Sequence, residues 1–148
     1  MITQDKYEEY ARKVAIFGGL TPEEVEYILH CGKIVHFRAG QTVFYQGQMG
    51  SNLFICLKGS IGLYDQSKLI ATMHVGDAFG EMAVLNKKPR TATAAAIEDA
   101  RLFSLDESEI NEILEKQVAV RLLMNIIHLL SERLEESNRI IAKMRKPE

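Results

Sequence analysis

The chain is poor in cysteine, proline and tryptophan: among its 148 residues there are two cysteines, three prolines and no tryptophan. Cys31 and Cys56 are too far apart for a C-x-x-C pair and too few for a thiolate iron–sulfur cluster. Free buried thiols in a reducing compartment are therefore expected. The four histidines show neither HxxxH nor HxH spacing, so neither a metal site nor another cofactor is expected.

The sequence also lacks a charge excess and a long apolar run. Its formal net charge is −2, with 26% charged and 47% hydrophobic residues, which is typical of one globular domain. Without a basic excess, nucleic acid is not an expected partner, since cations must displace counterions from phosphates. The most apolar stretch, 118–130, is interrupted by Arg121, Asn125 and His128 and does not predict a membrane helix. An acidic N-terminus without an apolar segment predicts a cytoplasmic location.

The sequence pattern changes twice along the chain and predicts one domain, 1–148, with three parts. Residues 1–32 are expected to form helices, with Thr21 as an N-cap and Pro22 at the first helical position. Residues 33–105 contain short apolar runs separated by glycine, which is typical of a small antiparallel barrel or sandwich. The seven predicted strands are KIVHF, TVFYQG, LFICLKG, IGLYD, LIATMHVG, ATAAAIE and ARLFSL. Residues 106–148 return to a helical pattern, with Asp106 as the N-cap.

The last helix carries an apolar repeat of the coiled-coil kind. Spacings of four and three residues alternate along Leu123, Ile127, Leu130, Leu134, Ser137, Ile141 and Met144. This seam predicts parallel pairing of two copies. The alternative is that the seam packs on the chain's own barrel, as in any amphipathic helix. If the seam faces a partner, the adjacent stripe of Leu122, Ile126 and Leu129 is expected to face the barrel.

One segment, residues 76–96 (GDAFGEMAVLNKKPRTATAAA), places the carboxylate of Glu81 nine positions before the guanidinium of Arg90. Glu81 follows Gly80 at the start of a short helical stretch, whose free backbone N–H groups favour an anion. Pro89 turns the chain, so that Arg90 returns towards the helix start. An arginine binds phosphate through two N–H bonds, and a carboxylate accepts from a ribose 2′-OH. These residues predict a pocket for a singly charged phosphate on a sugar; the alternative is a surface ion pair between Glu81 and Arg90.

The segment FGEMAVLNKKPRTATAAA resembles the phosphate-binding cassette of cyclic nucleotide-binding domains, the sensor modules of catabolite activator proteins, kinase regulatory subunits and gated channels. The preceding VFYQGQMGSNLFICLKGSIGLY is similar to the glycine-spaced strands of the same family. The resemblance extends from Leu20 to the long helix after Val118. It implies an α+β, mainly β fold: an antiparallel jelly-roll barrel, or double-stranded β-helix, with N-terminal helices and a long C-terminal dimerisation helix.

The resemblance also implies roles for individual residues. Glu81 is expected to accept from the ribose 2′-OH beside the Gly80 N–H, and Arg90 to hold the exocyclic oxygens of the cyclic phosphate. Further ligand contacts are implied for Phe79, Met82, Ala83, Thr91 and Ala92, and for Ser137 and Asn138, which would reach the base. Taken alone, Ser137 and Asn138 fit equally well as an ordinary polar interruption that fixes helix register.

The implied function is a sensor for a cyclic nucleotide, cyclic AMP more than cyclic GMP, whose binding changes the packing of the long helix. A homodimer acting through an unidentified downstream protein is expected, with no direct binding of nucleic acid or membrane by this chain. The alternative is the sensor part of a catabolite activator-type transcription regulator that lacks, or is separated from, its DNA-binding domain. No arrangement of nucleophile and base predicts an enzyme.

Overall fold

The computed structural model describes residues 4–116 and 118–145. The helical elements are α1 (Gln4–Lys13), a 3-10 turn (Ala15–Phe17), α2 (Pro22–Cys31), α3 (Glu81–Asn86), α4 (Glu107–Leu114) and α5 (Val118–Arg145). The strands are β1 (Lys33–Phe37), β2 (Thr42–Phe44), β3 (Leu53–Lys58), β4 (Ile61–Asp65), β5 (Lys68–Met73), β6 (Ala78–Phe79), β7 (Thr93–Ala96) and β8 (Ala100–Leu105). This order, with strands between two helical parts, confirms the α+β, mainly β prediction.

The strands form two antiparallel sheets of four strands each. The first sheet has the order β1-β8-β3-β6, and the second has the order β2-β7-β4-β5. Side chains from both sheets, including Phe44, Phe54, Ile61 and Leu102, pack together in one apolar core. The jelly-roll barrel is therefore confirmed. The two-residue strand β6 has no counterpart among the expected strands, since it is too short to show alternation.

The first sheet is covered on both faces, which explains why the run LFICL is apolar at every position. In β3, Phe54 and Cys56 face the core between the sheets. Ile55 and Leu57 point the other way, into a second core shared with the helices. A strand that is buried on both faces has no polar side to alternate with, so its sequence reads as a continuous apolar run.

Both N-caps that the sequence predicts are present, each as a capping box. The backbone N–H of Glu24 donates to Thr21 Oγ1 over 3.1 Å, and the N–H of Thr21 donates to Glu24 Oε1 over 2.9 Å. Asp106 and Glu109 exchange the corresponding bonds at the start of α4, over 2.8 and 3.0 Å. These reciprocal bonds satisfy N–H groups that the first helical turn leaves free.

The first half of α5 packs against the body of the domain. Leu122 is buried in the helical core, and Ile126 and Leu129 pack against it, so this stripe faces the barrel side as predicted. Asn125 Nδ2 donates to the backbone oxygens of Ile16 and Gly18, over 2.7 and 3.0 Å. The apolar seam residues keep much of their surface exposed: Leu123, Ile127, Leu130, Leu134, Ile141 and Met144.

The cysteines and histidines form no cluster in the part of the chain that the structure describes. Both thiols are free; Cys56 is buried, as predicted, whereas Cys31 is only half-buried. Desolvation raises the pKa of Cys56 to about 11, so the thiol stays protonated. Across residues 4–116 and 118–145, no group of three or more metal-ligating side chains lies together. No helix in the same ranges has the length and apolar character needed to cross a membrane.

Candidate functional site: the phosphate-binding cassette

The cassette of residues 76–96 connects the two sheets, running from β6 at the edge of the first sheet through α3 to β7 in the second. Gly80 is the N-cap of α3 and has a φ of 82°, which favours glycine. A Cβ at this position would lie 2.7 Å from Arg90 Nη1 and 3.0 Å from the backbone oxygen of Asn52. Only a glycine therefore lets the start of α3 lie this close to the guanidinium.

The turn after α3 brings Arg90 back to the helix start, as the sequence predicts. Arg90 Nη1 donates to the backbone oxygen of Gly80 over 3.1 Å, and Nη2 donates to that of Asn52 over 3.0 Å. The side chain is only 6% exposed. Its Nε is buried and has no hydrogen-bond partner among the described residues. A buried guanidinium whose Nε–H is unused is suited to donate to an anionic oxygen.

Two phenylalanine rings contact the guanidinium, and a third ring packs against these two. The Arg90 carbon Cζ lies 4.1 Å from the ring centre of Phe44 and 5.8 Å from that of Phe54. Phe79 stacks on Phe54, with 5.5 Å between ring centres. Burial lowers the pKa of Arg90 from its ordinary value because desolvation penalises the charged form, yet an arginine keeps its charge in a protein. The rings therefore hold a permanent cation through cation–π contact.

Glu81 pairs with the long helix and not with Arg90. Arg133 Nη1 donates to Glu81 Oε1 over 2.9 Å, and Arg133 Nη2 donates to the backbone oxygen of Ala78 over 2.7 Å. The Glu81 side chain is 24% exposed and that of Arg133 is 36% exposed. The alternative of a surface ion pair between Glu81 and Arg90 is therefore wrong. Both cassette side chains instead project around one cavity, and the carboxylate links that cavity to α5.

The cavity has a volume of about 140 Å³ and collects most of the residues predicted for the site. Phe79, Gly80, Glu81, Arg90, Thr91 and Ala92 line it, together with Phe44, Leu63, Met73, Ala78, Pro89 and Arg133. The backbone N–H groups of Met82 and Ala83 lie in the first turn of α3, where helical residues have no partner inside the helix. The cavity thus combines two guanidinium groups and a carboxylate with apolar side chains.

Ser137 and Asn138 do not line this cavity. Both are exposed on α5, one turn beyond Arg133, which is about 6 Å further along the helix axis. The structure therefore places them on the correct helix for a base contact but outside the cavity formed by the single chain. Whether they touch a ligand stays a prediction.

Arg133 is a site residue that the sequence reasoning missed, together with Asn52 and Leu63. Arg133 lies next to the seam residue Leu134 in α5. From the sequence it resembles any charged residue on the polar face of an amphipathic helix. The available signal was its position four residues before Ser137, which places both side chains on one face of the helix. Asn52 contributes only its backbone oxygen to this site, and because every residue type has one, the sequence could not predict this contact.

The fold and the cassette together define a jelly-roll domain with a buried arginine and a carboxylate around one cavity, and comparison with known proteins gives its family. The family described as "Cyclic nucleotide-binding domain" matches residues 34–117. This span holds the whole barrel and the complete cassette. The chain belongs to this family, and it is a cyclic nucleotide-binding domain of the type found in catabolite activators and kinase regulatory subunits.

Individual relatives agree with this assignment. The chain is 31% identical over 128 residues to the cyclic AMP receptor protein of Thermus thermophilus, a match that covers 83% of this chain and 58% of that protein. The crystal structure of the Thermus thermophilus catabolite activator protein aligns with a TM-score of 0.77 at 28% identity, over 88% of this chain and 62% of that one. The structure of cAMP-bound PfPKA-R aligns with a TM-score of 0.71 at 27% identity, over 95% of this chain and 47% of that one. The chain thus spans about three-fifths of the first of these relatives.

Proposed function

We propose that the cavity binds cyclic AMP in preference to cyclic GMP and that the domain works as a regulatory sensor. The observation that carries the proposal is the buried Arg90 Nε without a partner among the described residues. The other two nitrogens of the guanidinium are held by backbone oxygens, so the group is fixed before any ligand arrives. An exocyclic phosphate oxygen would accept from Nε and relieve an unsatisfied buried donor.

The carboxylate of Glu81 is suited to the ribose of the same ligand. An ionised carboxylate has two oxygens and about four acceptor positions, and Arg133 uses one oxygen. The ribose 2′-OH would donate to a free acceptor position of the Glu81 carboxylate. The N–H groups of Gly80, Met82 and Ala83, at the start of α3, would lie beside the phosphate. Thr91, which is exposed at the rim, adds a hydroxyl.

The shared carboxylate supports a route from the ligand to the long helix. A ligand changes a conformational equilibrium only if its contacts differ between the two states. Here the proposed ligand and Arg133 use the same side chain, so occupancy of the cavity and the position of α5 are energetically linked. Ser137 and Asn138, one turn further on, would add a base contact and strengthen the link.

A homodimer through α5 is part of the proposal. The exposed seam presents Leu123, Ile127, Leu130, Leu134, Ile141 and Met144 to solvent, while the neighbouring stripe is already packed on the domain. An apolar stripe with coiled-coil spacing that its own chain leaves uncovered is suited to a second copy. Cyclic AMP is preferred because the similar Thermus protein is named a cyclic AMP receptor protein.

Isothermal titration with cyclic AMP, cyclic GMP and 5′-AMP tests the ligand. We expect cyclic AMP to bind more tightly than the other two. Arg90→Ala should weaken binding by about 2–5 kcal/mol, because it leaves a buried phosphate charge unpaired, or roughly 30-fold to a few thousand-fold. Arg12→Ala removes an exposed arginine of α1 and is the matched control, with unchanged affinity. If the Arg90→Ala variant binds cyclic AMP as tightly as the wild-type protein, Arg90 does not bind the phosphate.

The ribose contact has its own test. Glu81→Ala should cost about 1.5–3 kcal/mol, the range for a hydrogen bond to a charged group, and should remove discrimination against 2′-deoxy cyclic AMP. A variant that still prefers the ribose form would contradict the role of Glu81. A heat of binding with cyclic GMP and none with cyclic AMP would agree with the proposed sensor function but would reverse the proposed base preference.

The second candidate is the sensor part of a transcription regulator. It is favoured by the alignment with the Thermus catabolite activator over 88% of this chain and 62% of that protein. In either case the signal passes to another chain or segment, which the fold does not identify. A mobility shift of duplex DNA by this chain itself would contradict both versions, because neither expects direct binding of nucleic acid by the domain. The cytoplasmic location and the absence of catalysis stay predictions.

A further inference from the structure

A second concave region, apart from the cassette, is rich in cations. It has a volume of about 340 Å³ and is lined by His36, Arg38, Lys58 and Arg101, with Asp99 at its side. We call these four basic residues the basic depression. None of them lines the cassette cavity. The proposed nucleotide function therefore leaves this region without a role.

Strand register forces the basic residues of this region together. Arg101 of β8 stands directly opposite His36 of β1 on one side and Lys58 of β3 on the other. Like charges in directly opposed positions destabilise a sheet. The arrangement therefore works against folding stability, in a chain whose formal net charge is −2.

Few carboxylates of the chain itself neutralise the positive charge of this region. Within residues 4–116 and 118–145, Arg38, Lys58 and Arg101 take part in none of the ion pairs that the structure contains. The neighbouring carboxylate of Asp99 accepts from the backbone N–H of Ala39 over 2.8 Å. One carboxylate against three permanent cations leaves a local positive excess, which an external anionic group would neutralise.

We propose that the basic depression docks the acidic face of an α-helix from a partner protein. Adjacent strands lie about 4.7–4.9 Å apart, so His36, Arg101 and Lys58 form a row with that repeat. Cβ atoms at positions i and i+4 of a helix are about 5–6 Å apart, whereas same-side residues of an extended chain are about 6.6 Å apart. The helical spacing is the closer match. The net negative charge of the chain disfavours nucleic acid, which needs a broad cationic face.

A designed probe tests the docking directly. The probe is a fluorescent 20-residue alanine-based peptide with glutamates at i, i+4 and i+7, and its partner has glutamine at those three positions. Fluorescence anisotropy is measured with the full chain at low and at physiological salt. The test variant is Lys58→Gln with Arg101→Gln. The matched control is Lys68→Gln with Lys116→Gln, which removes two exposed lysines elsewhere.

The expected result is binding of the glutamate peptide, weakened about fivefold or more by the test variant and by the glutamine peptide, and unchanged in the control. The test variant should have an equal or higher thermal midpoint, because it removes opposed like charges. Its cyclic nucleotide affinity should be unchanged, because it touches no cassette residue. Failure here is thus separable from failure of the nucleotide site. Equal binding by the test and control variants would overturn the proposal. Tighter binding of a duplex or single-stranded oligonucleotide than of the peptide would also overturn it and indicate a nucleic-acid surface.

Discussion

The ion pair between Glu81 and Arg133 is the contact that joins the cassette to α5, and a double-mutant cycle measures it. The variants are Glu81→Gln, Arg133→Gln and the two together. Glu81→Gln removes the charge and keeps the size of the side chain, whereas Arg133→Gln replaces the charge with a shorter polar side chain. The difference between the double variant and the sum of the singles isolates the pairwise energy.

The structure sets the expected magnitude. The pair is direct, at 2.9 Å, but the arginine is 36% exposed and the glutamate 24% exposed, so solvent screens the attraction. Partly exposed pairs contribute about 0.2–1 kcal/mol, and we expect a coupling of about 0.5–1 kcal/mol. Arg133→Gln should cost more, about 1–2 kcal/mol, since it also loses the bond to the Ala78 oxygen. That corresponds to a melting temperature lower by about 2–8 °C for a chain of this size.

The assay is urea unfolding followed by far-ultraviolet circular dichroism, at one protein concentration for all four proteins because dimerisation affects apparent stability. High salt, about 1 M, should reduce the coupling, since it screens an exposed ionic contact. A coupling of zero within error would refute the pairing in solution. A coupling that salt leaves unchanged would show that the contact is not electrostatic. Saturating cyclic AMP should change the coupling if the ligand and Arg133 share the carboxylate.

Three further predictions concern the helix, the thiols and the N-terminal contact. Leu134→Glu should convert a dimer into a monomer in sedimentation, whereas Ala142→Glu, off the seam, should leave it intact; a wild-type monomer would contradict the seam. Alkylation with iodoacetamide at pH 8 should modify Cys31 before Cys56, whose pKa of about 11 keeps the thiol protonated; mass spectrometry showing equal rates would contradict its burial. Asn125→Ala should lower the free energy of unfolding by about 1–3 kcal/mol, because two backbone oxygens lose their donor. An unchanged free energy of unfolding in urea would mean that water replaces the Asn125 amide as the donor to both oxygens.

The sequence predicts the local features of this fold well, because each depends on neighbouring residues. Thr21 and Asp106 cap helices through bonds to a residue three positions on, so the pattern that predicts the cap contains both partners. Glycine-bounded apolar runs give seven of the eight strands, and the exception is the two-residue β6. The return of Arg90 towards the helix start follows from Pro89 and a short loop.

The pairing of charges is less accessible to sequence reasoning. Glu81 and Arg90 are nine positions apart and suggest an ion pair, but the carboxylate binds Arg133, which is 52 positions away. Arg90 is instead held by two backbone oxygens and aromatic rings. Any residue type carries a backbone oxygen, so the sequence does not indicate which one accepts from Arg90. Phe44, Phe54 and Phe79 are spread over 36 positions, and no sequence pattern predicts that they cluster.

Taken by itself, the sequence determines which groups this protein has available: a cassette with a carboxylate and a guanidinium, a glycine-spaced barrel and a final helix with two apolar stripes. These features are local or periodic, so hydrogen-bond geometry and side-chain period fix them without knowledge of the rest of the chain. Only the tertiary structure decides which groups meet. It leaves the Nε–H of Arg90 unpaired, joins Glu81 to α5 and lines up Arg101 with His36 and Lys58. Those contacts depend on strand register and helix packing, which bring together residues that are distant in the chain.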